Sequence, residues 1–205
     1  MSARGALLGW CVVCALWSVA GCKDLGVWAF ELVPGSLAVA ALLVTWPRFR
    51  FRNLAYVCAG VHYLVLAVGA KYTYAEVPLF DALAEWLGWR RNPFDRVGHF
   101  CQGLVPAVFL HEWFVRASGM RRGRMLPVTV VACALAFSAL YEILEMAMVL
   151  VFYPEAGPEW LGTQGDPFDA QWDMGMALAG AVLAVVPPLR IAERALPREL
   201  PEQAP

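Results

Sequence analysis

Long apolar runs separated by short polar connections dominate the chain. Crossing a bilayer takes roughly 20 largely apolar residues, because its hydrocarbon core is about 30 Å thick and a helix rises about 1.5 Å per residue. Backbone polar groups exposed to lipid must be satisfied within the segment, so each run is predicted to be an α-helix. The runs cover residues 5–21, 27–46, 54–70, 95–117, 127–152 and 171–189. The predicted fold is an all-α polytopic transmembrane bundle of about six spans: a single membrane domain over residues 1–190, followed by a Pro-rich tail over residues 191–205.

The distribution of basic residues predicts an orientation. Eleven of the 16 lysines and arginines fall on one side if the N-terminus is cytoplasmic, which places both termini inside. The connections 71–94 and 153–170 then face outward, and the tail is cytoplasmic. For the first run there is an alternative, since Val19 to Cys22 (VAGC) is typical of a lipoprotein signal cleaved before Cys22. Cleavage would leave five spans without changing the orientation of the others.

Composition supports a chain embedded in a membrane. Hydrophobic residues make up 60% and charged residues 16% of the chain, and the mean hydropathy is +0.56, so a water-soluble domain is excluded. A net charge of −1 lacks the cationic surface that nucleic-acid binding needs, which leaves membrane lipids as the expected partners. The six cysteines lie mostly in apolar runs and predict no disulfide framework.

Ionisable groups inside the predicted spans mark a candidate site, because each is costly in lipid unless it is paired or functional. In the fourth run, Asp95, His99 and Gln102 are spaced i, i+4, i+7 and share a helical face near the outer surface. In the fifth run, Ser138, Glu142 and Glu145 share a face in the outer half of the bilayer. Two spans therefore place acids at a similar depth.

A third acidic segment precedes the sixth run. Asp166, Asp169 and Asp173 are three carboxylates within eight residues. Gly162, Gly165 and Pro167 predict a turn, and a helix from Phe168 onward would place Asp169 and Asp173 one turn apart. Such a cluster needs a cation, hydrogen-bond donors or protonation to stay near lipid.

These segments predict a polar site at the outer face. Hard oxygen ligands with one imidazole suit Mg²⁺, Mn²⁺ or Zn²⁺. The candidate catalytic acids and bases are Glu142, Glu145 and His99. The alternative is that the acids pair with arginines in a network that only fixes helix register. The candidate metal ligands are Asp95, His99, Glu142, Asp166, Asp169 and Asp173.

Polar residues around this site are candidate substrate contacts: Lys71, Tyr74, Glu76, Arg91, Arg96, Gln102 and Gln171. The two tyrosines within residues 71–79 could equally be interfacial aromatics, while Lys71 and Glu76 beside them could form the rim of a polar pocket. Glu31 could face the same cavity or extend toward the interface, and we expect the second. We expect His62 to pack in the inner half of the third span, away from the site.

Two further patterns predict helix packing. Glu112 and Arg116 are spaced i, i+4, which favours an ion pair at the inner end of the fourth span. Gly175, Ala179 and Ala181 supply small residues that allow close helix approach in the sixth.

Four segments together resemble the bacterial YjdF-type inner-membrane family, a domain of unknown function. They are Lys71 to Leu79 (KYTYAEVPL), Arg91 to Ala107 (RNPFDRVGHFCQGLVPA), Ser138 to Glu145 (SALYEILE) and Gly162 to Gly180 (GTQGDPFDAQWDMGMALAG). The resemblance covers about residues 10 to 190. It implies a polytopic helical inner-membrane protein and brings no substrate or reaction.

A looser similarity is to the VanZ-like membrane proteins. Their span beginning with aspartate, a basic residue and a histidine is matched by Asp95, Arg96 and His99, their glutamate by Glu142, and their later aspartate stretch by Asp169 and Asp173. The last motif of the VanZ-like proteins is expected to contain a late asparagine, and in its place this chain has small or apolar residues after Asp173.

Three functional hypotheses follow. The first is an outer-leaflet membrane enzyme or binding site for an amphiphilic or lipid-linked molecule, with or without a divalent metal. The second is a small proton- or cation-coupled transporter or transporter accessory, although no inverted repeat is apparent. The third is a structural or assembly protein.

Overall fold

The computed structural model describes residues 3–154, 161–186 and 192. Within these residues the chain forms seven α-helices and no strand, and a 3₁₀-helix over Thr163–Gly165 precedes the last of them. The α-helices are α1 Ala3–Val19, α2 Leu25–Thr45, α3 Asn53–Tyr72, α4 Pro78–Leu87, α5 Phe94–Arg116, α6 Met125–Phe152 and α7 Asp169–Val185.

Six of these helices coincide with the six predicted runs, which confirms the all-α class. By length and composition, α2, α3 and α6 can cross a membrane, and α1 is a shorter apolar helix. The last part of the sixth run (187–189) lies outside the described residues. So do the tail, apart from residue 192, and three of the arginines that predicted the orientation: Arg190, Arg194 and Arg198.

The connection over residues 71–94 contains a helix that the hydropathy pattern did not predict. Helix α4 begins with Pro78 in its first turn and ends at Gly88, which has a φ of 68°. Ten residues are too few to span a bilayer, so the hydropathy pattern missed it. Leu79 and Trp86 are 74% and 81% exposed while Ala84 is buried, a division typical of a helix lying at a lipid surface.

Helix α5 is the centre of the bundle. It packs against α3, α6 and α7, and α3 in turn packs against α1 and α2. One core surrounds α5 and includes Val108, Val130 and Ala181, and a second surrounds α3 and includes Leu32 and Tyr63. The chain thus forms two helical groups that meet where α3 contacts α5.

The contact between α5 and α7 depends on two glycines. A Cβ atom at Gly103 would overlap the carbonyl of Ala177, and one at Gly180 would overlap the carbonyl of Phe100. The sequence predicted close approach of this helix, but the residues differ: of the predicted set only Ala181 is buried, whereas Gly175 and Ala179 are exposed. Each residue turns the helix by about 100°, so neighbouring small residues lie on different faces.

The predicted ion pair between Glu112 and Arg116 is confirmed, and it lies at the C-terminal end of α5. Glu112 is fully buried and also accepts hydrogen bonds from the backbone N–H of Arg52, at 3.1 and 3.2 Å. Arg116 donates to the carbonyl of Arg50 at 2.9 Å. The pair therefore also holds the connection between α2 and α3.

Candidate functional site

Two arginines and four aspartates form a cluster where α5 and α7 begin, which we call the site end of the bundle. Arg91 lies 3.2 Å from Asp166 and 2.9 Å from Asp169. Arg96 lies 2.7 Å from Asp169 and also pairs with Asp173. The arginine cluster comprises Arg91, Arg96, Asp95, Asp166, Asp169 and Asp173.

His99 lies one turn further along α5, surrounded by oxygen atoms. Its Nε2 is 3.4 Å from Asp95 Oδ1 and 3.7 Å from Asp173 Oδ1. Its Nδ1 is 2.8 Å from Gln102 Oε1 and 3.5 Å from Glu142 Oε1. With acceptor oxygens facing both ring nitrogens, the imidazole is placed to give or take a proton on either side.

A cavity of ≈ 880 Å³ extends from this histidine between α2, α3, α5 and α6. Most of its polar lining groups lie toward the site end and include Glu31, Asp95, His99, Gln102 and Glu145. The part farther from the site end is lined by apolar side chains, among them Ala38, Leu42, Val105, Phe109, Leu110 and Phe137. The volume falls within the range of small-molecule sites, and the polarity changes along its length.

Tyr74 is packed into the wall of this cavity. It follows the end of α3 with a φ of 35°, and its ring fills the space that a side chain at Gly69 or Gly98 would occupy. Burial, reinforced by Glu31, raises the pKa of Tyr74 well above its usual value. The hydroxyl therefore stays protonated and can donate a hydrogen bond.

The connections that close the site end are joined by hydrogen bonds of Asn92. The Asn92 N–H donates to Gln164 Oε1 at 2.7 Å, and Gln164 Nε2 donates to the Asn92 carbonyl at 3.1 Å. The Asn92 side-chain amide donates to Asp81 of α4 at 2.7 Å. These bonds link α4, the start of α5 and the 3₁₀-helix into one cover.

The structure brings together part of the predicted metal set. Asp95, His99 and Asp173 are all buried and each offers one ligand atom within 4.8 Å of the others. Glu142 lies beside this triad, with its Oε1 3.5 Å from His99 Nδ1. Asp166 and Asp169 bind the two arginines, and so do Asp95 and Asp173 of the triad. Such pairing is also what the alternative of a network that fixes helix register predicts.

The predicted substrate contacts divide into three groups. Tyr74, Glu76 and Gln102 line the cavity, and Arg91 and Arg96 belong to the arginine cluster. Lys71 donates to the carbonyls of Trp17 and Ala20 at the end of α1. Gln171 is exposed, on the face of α7 opposite Asp169 and Asp173, and does not line the cavity. Of the two candidate bases on α6, Glu145 lines the cavity whereas Glu142 faces His99.

Two expectations for single residues were wrong. Glu31 does not extend toward the interface but lines the cavity, and so does His62, which was expected to lie away from the site. His62 Nε2 is buried and has no hydrogen-bond partner among the described residues. A hydropathy pattern fixes depth only roughly and does not give the rotation of α2 and α3 that turns these side chains inward.

Sequence reasoning missed Tyr141 and Gln164, which also line the cavity. The i, i+4 spacing of Tyr141 and Glu145 is a signal that could have found the first. Gln164 has a φ of 58° in the short 3₁₀-helix, and the sequence pattern carried no signal for it.

Comparison with known proteins gives two matches. The family described as "Predicted membrane protein (DUF2238)" matches residues 3–194. Inner membrane protein YjdF of Escherichia coli (strain K12) is 42% identical over 159 residues, which are 78% of this chain and 76% of that protein. No solved structure matches the chain.

Proposed function

The chain belongs to the DUF2238 family of membrane proteins, and we propose that it binds an amphiphilic, lipid-derived molecule in the cavity between α2, α3, α5 and α6. The observation that carries this proposal is the change in polarity along a single cavity. The carboxylates, the His99 imidazole and the Tyr74 and Tyr141 hydroxyls lie toward one end, and mainly hydrocarbon side chains line the rest. A molecule with a polar head and an apolar chain matches both parts, and the bilayer concentrates such molecules.

The proposed topology is six spans in the inner membrane with both termini cytoplasmic, so that the site end faces outward. Helices α1 and α7, at 17 residues each, are about 26 Å long, enough for most of the hydrocarbon core. Helix α5 has 23 residues, and its charged groups pair with those of neighbouring segments.

Thiol labelling checks this topology. Cys22, in the connection between α1 and α2, reacts with a membrane-impermeant maleimide in intact spheroplasts, and the Cys22→Ser variant gives the background. Reaction of Cys22 only in inverted vesicles contradicts the orientation. An N-terminus that mass spectrometry finds lipidated at Cys22 contradicts the six-span count.

The head of the bound molecule would meet the proton-transfer groups of the site. His99 can pass a proton between Asp95 and Glu142, which lie on its opposite ring nitrogens. Glu142 Oε1 is buried and accepts no hydrogen bond from a described residue. A buried carboxylate without a hydrogen-bond donor is suited to act as a general acid or base on a polar head bound beside it. Glu145, on the cavity wall, is the second candidate for this role.

The cavity proposal predicts that Ala38→Phe removes amphiphiles that co-purify with the protein. Ala38 lines the apolar part of the cavity, so the larger ring takes the space of the chain. Lipid extraction and mass spectrometry should show that the specifically retained species falls by about tenfold. Ala40→Phe makes the same change on an exposed position of α2 outside the lining and should leave the retained species unchanged. Equal retention by both variants contradicts the proposal.

A divalent ion at Asp95, His99 and Asp173 is the second element of the proposal, supported by the 4.8 Å spread of their ligand atoms. Protein purified without chelator and supplied with Mn²⁺ or Zn²⁺ should retain about one ion per chain by elemental analysis. His99→Ala should lower this by about tenfold or more, while His62→Ala, in the same cavity but outside the triad, should not. If the folded wild-type protein retains no ion, the metal site is excluded, and proton transfer remains as the proposed role of these residues.

A further inference from the structure

The charge of the cavity lining identifies the kind of head it takes. Four carboxylates and two imidazoles line the cavity, whereas no lysine or arginine of the described chain does. These acidic and imidazole residues are Glu31, Glu76, Asp95, Glu145, His62 and His99.

The nearby cations are engaged elsewhere. Arg91 and Arg96 hold the aspartates of the arginine cluster, and Lys71 binds the end of α1. Lys23 pairs with Glu76 at the exposed rim. Glu31 and Glu145, which also line the cavity, form no ion pair with any described residue.

An anionic head placed there would face Glu31 and Glu145, neither of which has a compensating basic side chain among the described residues. Carboxylates removed from water are stabilised by a cation or by protonation, and a positively charged ligand supplies the first. These carboxylates repel an anionic head and attract a cationic one, so both effects select a cationic head.

The aromatic walls favour the same charge. Tyr74 and Tyr141 line the same cavity as these acids. Ring faces attract ammonium groups through their quadrupole, and quaternary ammonium ligands are bound in this way elsewhere.

We propose that the ligand of this cavity is an alkylammonium amphiphile, with its ammonium group between Glu31 and Glu145 and its hydrocarbon chain along the apolar part. The proposal rests on the amphiphile-binding function proposed above and adds the sign of the head. Phosphate-headed lipids are thereby excluded as the preferred ligands, with or without a bound divalent ion.

Native mass spectrometry in a neutral maltoside detergent tests this with two probes of equal chain length. Dodecyltrimethylammonium should bind at least tenfold more tightly than dodecyl phosphate, in the presence of EDTA. Tetramethylammonium, the head without a chain, should bind much more weakly than the full probe. Glu145→Gln and Glu31→Gln, on different helices, should each weaken dodecyltrimethylammonium binding by about tenfold. Glu85→Gln, the same change on the exposed surface of α4, should leave it unchanged.

The outcomes separate this inference from the function on which it rests. Equal or tighter binding of dodecyl phosphate, or cation binding unaffected by both glutamine variants, overturns the charge assignment alone, provided that Ala38→Phe still abolishes amphiphile binding. Failure of both probes to bind the folded protein overturns the amphiphile-binding function itself. Dodecyl phosphate binding that appears only when Mn²⁺ or Zn²⁺ replaces EDTA also overturns the ammonium assignment, because the metal then supplies the positive charge.

Discussion

Replacing Arg96 with glutamine should lower the free energy of unfolding by about 3–5 kcal/mol, the range for removing one partner of a buried ion pair. Arg96 is only 15% exposed and contacts Asp95, Asp166, Asp169 and Asp173. Without it, Asp173 loses its arginine partner, and Arg91 alone faces the other three aspartates. Thermal unfolding in detergent, followed by helical circular dichroism, should show a midpoint roughly 10 °C lower.

Arg90 is the matched control because it is the exposed neighbour of Arg91 and takes the same substitution. Arg90→Gln should change the midpoint by no more than a degree or two. Adding Asp169→Asn and Asp173→Asn to Arg96→Gln should restore part of the loss, since the unpaired charges are removed. If the two single arginine variants unfold at the same temperature, the arginine cluster is not a structural requirement.

The second large effect is expected at Gly180, where alanine should destabilise the bundle by about 3 kcal/mol. Its Cβ would overlap the carbonyl of Phe100 and lie 2.9 Å from the backbone N of Leu104. Backbone atoms cannot move aside as a side chain can, so α5 and α7 would have to separate. The same unfolding measurement should then show a lower midpoint.

Gly175→Ala makes the same change five residues earlier on α7, where nothing lies within 4 Å of the added atom. This variant should be more stable than wild type by about 0.5–1 kcal/mol, because alanine favours the helix over glycine. The two substitutions are therefore expected to differ in sign. A shift of the same sign and size for both would contradict the close backbone contact between α5 and α7.

The elements were largely predictable because membrane spans are encoded by length and apolarity. Six helices fall on the six apolar runs, and α7 begins at Asp169, as the turn residues before it indicated. Helix α4 was missed because ten residues carry too little hydropathy signal. Its proline at the start and glycine at the end are local signals that a search for spans does not use.

The candidate site was predictable where its residues lie on one helix. The spacing of Asp95, His99 and Gln102 fixes a shared face whatever the rest of the fold does. Which acids meet arginine and which face the cavity depends on how α2, α6 and α7 rotate about their axes. Glu31 and Glu145, four helices apart in the chain, share a cavity for that reason, and no spacing in the sequence relates them.

The position of α5 at the centre of the bundle bears on how the chain enters the membrane. Among the described helices only α2, α3 and α6 have the apolarity of independently inserting segments, and α5 carries Asp95, Arg96, Glu112 and Arg116. Such charges are costly in lipid until they are neutralised. Two of the aspartates that neutralise Arg96 lie on α7, the last of the described α-helices. Stable integration of α5 therefore requires that α7 has been synthesised, so the same step that docks α7 completes the arginine cluster.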